Sequence, residues 1–207
     1  MNETSVVYVV DDDPSILASL ESLLASEGHA VRTFGSGADF LAAARPDKPA
    51  CLVLDVRLRG TSGLEFQREL LRAGIEVPVV FITGHGDVPM SVAAMKAGAI
   101  EFLLKPFRDQ DLLDAVHAGI ERDRRRRADE VQMAALRQRY AGMTPREREI
   151  LPLVASGLMN KQIAARFQLS EVTVKVHRAQ IMQKMGAKTL ADLVRIADRV
   201  AADTDKA

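Results

Sequence analysis

Five short segments that read as strands, led by the apolar Val6–Val10, constrain this chain more than any other feature. Val6–Val10, Ala30–Phe34, Cys51–Leu54, Val77–Ile82 and Ile100–Leu103 are each four to six residues long. That is the length of strands, and no apolar run approaches the roughly 18 residues that span a bilayer. Between them apolar residues recur at helical spacing. Ser15–Ser26 carries Ile16, Leu17, Leu20, Leu23 and Leu24, and Ala38–Ala44, Leu64–Arg72 and Pro89–Ala97 follow. Leu112, Leu113, Val116 and Ile120 mark one more helix after the fifth run. This alternation predicts an α/β fold: a doubly wound (βα)5 parallel sheet with helices on both faces and right-handed crossovers. Ligands of such sheets bind beyond the carboxyl ends of the strands. Asp11-Asp12-Asp13, Asp55, Thr83-Gly84 and Lys105-Pro106 stand there, so acid, hydroxyl and amine groups are expected along one edge.

The pattern changes after residue 120. Glu121–Ala141 holds seven Lys and Arg and no Gly or Pro, so it reads as a charged helix continuing from the one before it. Val131, Leu136 and Tyr140 are too sparse for a coiled coil. Beyond Gly142 every segment is helical. Thr144-Pro145-Arg146-Glu147 supplies an N-cap, a proline at the first position and an acid at the third, opening a helix with Ile150, Leu151 and Leu153 that Gly157 ends. Asn160 is expected to cap a helix over Lys161–Phe167, and Gln168-Leu169-Ser170 to form a tight connection. Ser170 to Thr173 starts a longer helix to about Met185, and Leu190–Val200 is the fourth. Two helices joined by three residues predict a helix-turn-helix. The expected organisation is an α/β domain at residues 1–123, a linker helix at 124–141, and an all-α four-helix domain at 142–207.

Charge separates the halves. The net charge is zero, yet residues 1–120 hold 10 Lys and Arg against 17 Asp and Glu, and residues 121–207 hold 18 against 11. An acidic half followed by a basic half predicts two functions, the second a candidate for nucleic acid. The Arg124–Arg127 run reads equally well as a solvated helix surface. The single Cys51 excludes an intramolecular disulfide and a cysteine-built zinc site. The polar start, Met1–Ser5, lacks the features of a signal peptide, so a cytoplasmic protein without membrane contact is expected.

Asp11, Asp12 and Asp55 would offer clustered oxygen ligands to a hard divalent cation, and Mg²⁺ uses only one or two carboxylates beside its waters. Asp55 could then attack a phosphoryl group as a carboxylate nucleophile. Lys105 and the metal would neutralise phosphoryl oxygens, and Thr83 would donate a hydrogen bond to one of them. The plainer alternative is that such acids cap helices and turns, the preferred reading for Asp13. A metal-dependent phosphohydrolase would use similar groups, but a second acid two residues after the nucleophile would suit it better, and Arg57 stands there. A DNA-binding module indifferent to phosphorylation is the third class.

Val9-Val10-Asp11-Asp12-Asp13, Leu54-Asp55-Val56-Arg57-Leu58, the segment from Ile82 to Met90 and Phe102-Leu103-Leu104-Lys105-Pro106-Phe107 resemble the receiver domain of two-component response regulators. The resemblance implies that Asp55 accepts phosphate from a sensor histidine kinase. It further implies that Asp11, Asp12, Asp55 and the backbone carbonyl of Arg57 hold Mg²⁺, that Thr83 and Phe102 form a switch pair, and that Lys105 binds the phosphoryl group. The Lys105–Pro106 bond is expected to be cis. One stretch departs from the pattern: Leu58-Arg59-Gly60-Thr61-Ser62-Gly63 has Arg59 where many receivers have proline, which removes a fixed φ from the loop after Asp55.

The basic half resembles the LuxR-type helix-turn-helix over about residues 142–200, through Thr144–Leu151, Gly157–Ala164 and Ser170–Arg178. With the receiver, the chain resembles the NarL/FixJ family, in particular its FixJ and StyR/TodT branch. The resemblance implies a DNA-binding transcription regulator rather than an enzyme acting on external substrates. The helix from Glu171 would enter the major groove, with Lys175, Val176 and Ala179 toward bases and Lys161 and backbone amides near Thr173 on phosphates. Arg178 is expected to face out. His177 is read as a phosphate contact or, equally, as packing. Ile163, Ala164, Phe167, Leu169, Val172, Val174, Ile181 and Met182 are expected in the core. The resemblance also implies homodimerisation on phosphorylation, through about Met90–Lys96, Glu101 and Arg108–Asp114, with promoter DNA and RNA polymerase as further partners.

Overall fold

The structure is a computed structural model that describes residues 5–204. Met1–Thr4 and Asp205–Ala207, the outer ends of the two predicted domains, lie outside the described residues. The chain forms two compact units, Met1–Arg127 and Ala128–Ala207.

The first unit runs β1 (Val6–Val10), α1 (Pro14–Ser26), β2 (Ala30–Phe34), α2 (Gly37–Ala42), β3 (Ala50–Asp55), β4 (Arg57–Leu58), β5 (Thr61–Ser62), α3 (Gly63–Arg72), β6 (Val79–Thr83), α4 (Val88–Lys96) and β7 (Glu101–Leu104). It closes with part of α5 (Asp109–Ala141), a single 33-residue helix that extends into the second unit. Five strands form one parallel sheet in the order β2-β1-β3-β6-β7, the doubly wound arrangement expected from the sequence. Strand alternation explains two separate cores. Val6, Tyr8, Val10, Leu52, Leu54 and Phe81 point to one face with Phe40, Phe66 and Leu70. Val7, Val9, Cys51, Val53, Val80 and Ile82 point to the other with Leu20, Leu24, Leu112, Val116 and Ile120. With both faces covered, the central strands are buried at every position, which is why they read as unbroken apolar runs.

One element was invisible in the sequence. β4 and β5 pair antiparallel, Arg57 with Ser62 and Leu58 with Thr61, across an Arg59-Gly60 turn in which Gly60 takes φ +87°. The hairpin therefore supplies order where a proline is missing. Its foot is tight against the sheet: a Cβ on Gly63 would lie 2.4 Å from the Asp55 carbonyl oxygen, so only glycine fits there.

The second unit adds α6 (Pro145–Ala155), α7 (Asn160–Phe167), α8 (Glu171–Met185) and α9 (Leu190–Thr204) to the end of α5. Ile150, Val154, Ile163, Val174, Ile181, Met185 and Leu193 form its core, and Leu136 of α5 joins them. Thr144 and Glu147 complete a capping box, and α6 runs through Pro152. Two expectations change. Met159, not Asn160, takes the cap position of α7, with its N–H donating to Gln162 Oε1 at 2.8 Å. Val172 is 72% exposed while Val174 is fully buried. Two residues along a helix subtend about 200°, so the pair cannot share a face.

Candidate functional site

The sheet brings the predicted acids to its carboxyl edge. β1 ends just before Asp11, β3 ends on Asp55, and β7 ends just before Lys105. Lys105 Nζ donates to Asp11 Oδ2 at 2.7 Å and to Asp55 Oδ1 at 3.2 Å, joining residues 94 and 50 positions away in the chain. Asp55 is 6% exposed, and its Oδ2 accepts the Arg57 N–H at 2.8 Å. Asp11 Oδ1 accepts the Asp13 N–H at 2.9 Å. Asp13 itself caps α1 through Ser15, as expected of it. Asp12 points elsewhere, to Arg59 Nε at 2.7 Å. Sequence reasoning missed that partner; the signal for it was the arginine in the proline's place.

Electrostatics follow from this crowding. Burial pushes the Asp55 carboxyl above its ordinary range, Lys105 pulls it back, and Asp11 adds to the rise. Burial also works against the charge on Lys105, but its bonds to Asp11 and Asp55 outweigh this and raise its pKa. One ammonium thus serves two carboxylates in a poorly solvated pocket.

Thr83 ends β6, fully buried, opposite Leu104 in the register. Its hydroxyl accepts the His85 N–H and donates to the His85 carbonyl, both at 3.3 Å. Phe102 is half-buried, tilted against Phe81 at 6.4 Å, and Gly86 lies close enough that a Cβ would meet the Phe102 ring at 2.8 Å. Thr83, its loop and Phe102 are therefore packed as one neighbourhood. The Lys105–Pro106 bond is cis.

In the second unit Gln168 adopts a left-handed conformation between α7 and α8, making the tight turn of a helix-turn-helix. Ser170 caps α8 on the Thr173 N–H, and the Ser170 and Thr173 hydroxyls are 2.8 Å apart. Lys175, Val176 and Ala179 are exposed on α8, and Lys161 is exposed on α7. With Val172, the exposed Val176 and Ala179 follow the four- and three-residue steps of one helix face. Arg178, expected to face out, is half-buried and donates to the Leu158 carbonyl at 3.0 Å and Asn160 Oδ1 at 3.2 Å. It pins α8 to the start of α7. His177 is half-buried, and its Nδ1 has no hydrogen-bond partner among the described residues.

The arginine run is divided. Arg126 and Arg127 both bond Asp123, which is 1% exposed and accepts the Ala50 N–H at 2.9 Å. Arg127 also meets Asp47. These two arginines tie α5 to the base of the first unit.

Comparison with known proteins agrees with both halves. Residues 7–117 match the response regulator receiver domain, and residues 141–197 match the bacterial regulatory proteins of the luxR family. Nodulation protein W of Bradyrhizobium diazoefficiens is 53% identical over 194 residues, covering 94% of this chain and 86% of that protein. The structure of the response regulator StyR superposes with a TM-score of 0.83 at 48% identity, covering 95% of this chain and 99% of StyR. Full-length FixJ from B. japonicum gives a TM-score of 0.56 at 38% identity over 95% of this chain and 97% of FixJ. Among the described residues no helix is long and apolar enough to cross a membrane. With a receiver at one end and a LuxR-type helix-turn-helix at the other, the chain belongs to the NarL/FixJ family of two-component response regulators and is a DNA-binding transcription regulator.

Proposed function

We propose that Asp55 accepts a phosphoryl group from a sensor histidine kinase and that this phosphorylation drives dimerisation and promoter binding. The Lys105 ammonium held between Asp11 and Asp55 carries this reading. A buried carboxylate is a nucleophile only while ionised, and Lys105 opposes the burial that disfavours its charge. An Asp55 oxygen attacks phosphorus as the phosphorus–nitrogen bond of the kinase phosphohistidine breaks, leaving an acyl phosphate. Lys105 then faces the new phosphoryl oxygens, and Thr83 gives up the His85 carbonyl to donate to one of them.

Asp11, Asp12, Asp55 and the Arg57 carbonyl are the Mg²⁺ ligands in this reading. Their all-oxygen donor set fits a hard cation. When bound, Mg²⁺ supplies charge neutralisation at the phosphoryl group. The chain turns over no external substrate; hydrolysis of its own acyl phosphate resets it.

The receiver is taken as residues 1–123, the linker helix as 124–141 and the DNA-binding domain as 142–207. Val92, Met95 and Leu104 expose apolar surface on α4 and β7, next to the Arg108–Asp111 pair at the start of α5, and this face suits a second copy of the receiver. On DNA, Lys175, Val176 and Ala179 face bases, Lys161 and the amides near Thr173 face phosphates, and Arg178 positions α8. His177 lies on the same helix. A cytoplasmic dimer on paired half-sites then meets RNA polymerase.

Light scattering with and without Mg²⁺ plus beryllofluoride, a phosphoryl mimic, tests the reading. The mass of the wild-type chain should double and that of Asp55→Asn should not change. A wild-type chain that binds the mimic and stays monomeric separates phosphorylation from assembly.

A further inference from the structure

Every acid of the pocket meets an internal cation. Asp11 and Asp55 share Lys105, while Asp12 has Arg59. Arg59 reaches Asp12 because of the hairpin. It stands at the turn between paired Leu58 and Thr61, and the hairpin foot is fixed by the Arg57 N–H on Asp55 Oδ2 and the Gly63 N–H on the Val56 carbonyl at 2.8 Å. The strand that carries Asp55 therefore also holds the guanidinium over Asp12. The arginine side chain is 86% exposed and Asp12 is 26% exposed. Arg59 can leave Asp12 and enter solvent without stranding a buried charge.

We propose that Arg59 is a positioning residue that occupies Asp12 in the metal-free receiver and competes with the divalent cation for it, setting the metal affinity of the phosphorylation site. This rests on the reading of Asp12 as a Mg²⁺ ligand. A cation drawing on Asp12 Oδ2 must displace Arg59 Nε, and one drawing on Oδ1 still meets the guanidinium charge on the same carboxylate, so part of the binding free energy goes into weakening that pair. An exposed pair is weak, so the handicap is small and quickly reversible. It is also more sensitive to salt than the bonds of half-buried Lys105.

The test is calorimetric titration of the full-length protein with Mg²⁺ alone, without phosphodonor, at low ionic strength. Arg59→Ala should bind about two- to fivefold tighter than wild type, and Arg59→Lys should fall between them. Arg68→Ala removes the same charge from an exposed side chain of α3 that does not contact Asp12, and should change affinity less. In an Asp12→Asn background, Arg59→Ala should have no effect, because the double-mutant cycle isolates the pair. The gain should shrink as salt approaches about 1 M. If wild type binds Mg²⁺ and Arg59→Ala binds no tighter, the proposal is overturned while the metal site stands. An equal gain from Arg68→Ala also overturns it, leaving only net charge. A wild-type chain that binds no Mg²⁺ overturns the metal reading and this inference together.

Discussion

Asp55 in the receiver and Glu147 in the DNA-binding unit are both buried carboxylates facing a lysine, 6% and 2% exposed, yet their surroundings push them in opposite directions. Burial pushes the Glu147 carboxyl up, but Lys184 at 2.7 Å and the Thr144 N–H at 2.7 Å outweigh it and hold the group below the usual carboxylate range. Asp55 receives a more distant lysine, at 3.2 Å, and shares it with Asp11. Burial therefore prevails and its pKa rises. Glu147 has partners of its own and staples α6 to α8. Asp55 is left short of positive charge, a deficit that an incoming cation or a change of covalent state can answer. A perturbed group in a cleft reads as functional when its partners are incomplete, and as structural when they are complete.

Four substitutions would break or sharpen that contrast. The largest effect is expected from Glu147→Ala, which removes the capping box and leaves Lys184 without its carboxylate. Lys184 is 36% exposed and can rehydrate, so the loss should be about 2–3 kcal/mol in denaturant unfolding, below that of a fully buried pair. Next comes Arg178→Ala against Lys175→Ala. The first strands the Leu158 carbonyl and Asn160 Oδ1 and should cost about 1–2 kcal/mol of stability. The second should leave stability within about 0.5 kcal/mol and weaken DNA binding, relaxing specificity at the base that Lys175 faces. Equal stability losses would erase the distinction between positioning and contact on α8.

The smallest effect is expected from Asp55→Asn in chelator, and its sign is the point. Neutralising a carboxylate that burial disfavours should leave stability unchanged or raise it by up to about 1 kcal/mol. The pH dependence follows the same logic. The folded pKa of Asp55 is raised, so its ionisation detracts from stability as pH rises past the ordinary carboxylate range, and acidification from neutral restores that loss. The folded pKa of Glu147 is depressed, so its contribution is present above the ordinary range and disappears as pH falls through the folded value. Urea melts between about pH 3 and 7, read separately for the two units, should show these opposite slopes; parallel slopes would remove the contrast.

The fold was legible because strands buried on both faces read as near-continuous apolar runs, and Val6–Val10, Ala50–Asp55 and Val79–Thr83 do so up to the polar Asp55 and Thr83 at their carboxyl ends. The acids at their ends were legible because doubly wound sheets place ligands there. The β4–β5 hairpin was not, since two residues per strand leave no alternation to detect. Val172 and Arg178 were misplaced for a related reason. α8 is apolar on more than one side, with Val174 inside and Val172 and Val176 outside, so periodicity could not fix which face turns inward. The arginine run looked uniform, but Asp123 just before it pairs two of its members and accepts the Ala50 N–H, a contact across 73 positions that local sequence does not reveal.

The loop after β6 has a consequence for the unstimulated cell. In the proposed switch, Thr83 must release the His85 backbone, and both of its bonds there are 3.3 Å, at the long and weak end of the range. Releasing the His85 backbone then adds little to the free energy that separates the resting arrangement from the switched one. A gap of a few kcal/mol leaves on the order of 0.1–10% of molecules in the minor state without any signal. The background transcription of the regulated promoters, and the dynamic range left for the kinase to command, would be set by how loosely one threonine hydroxyl is held.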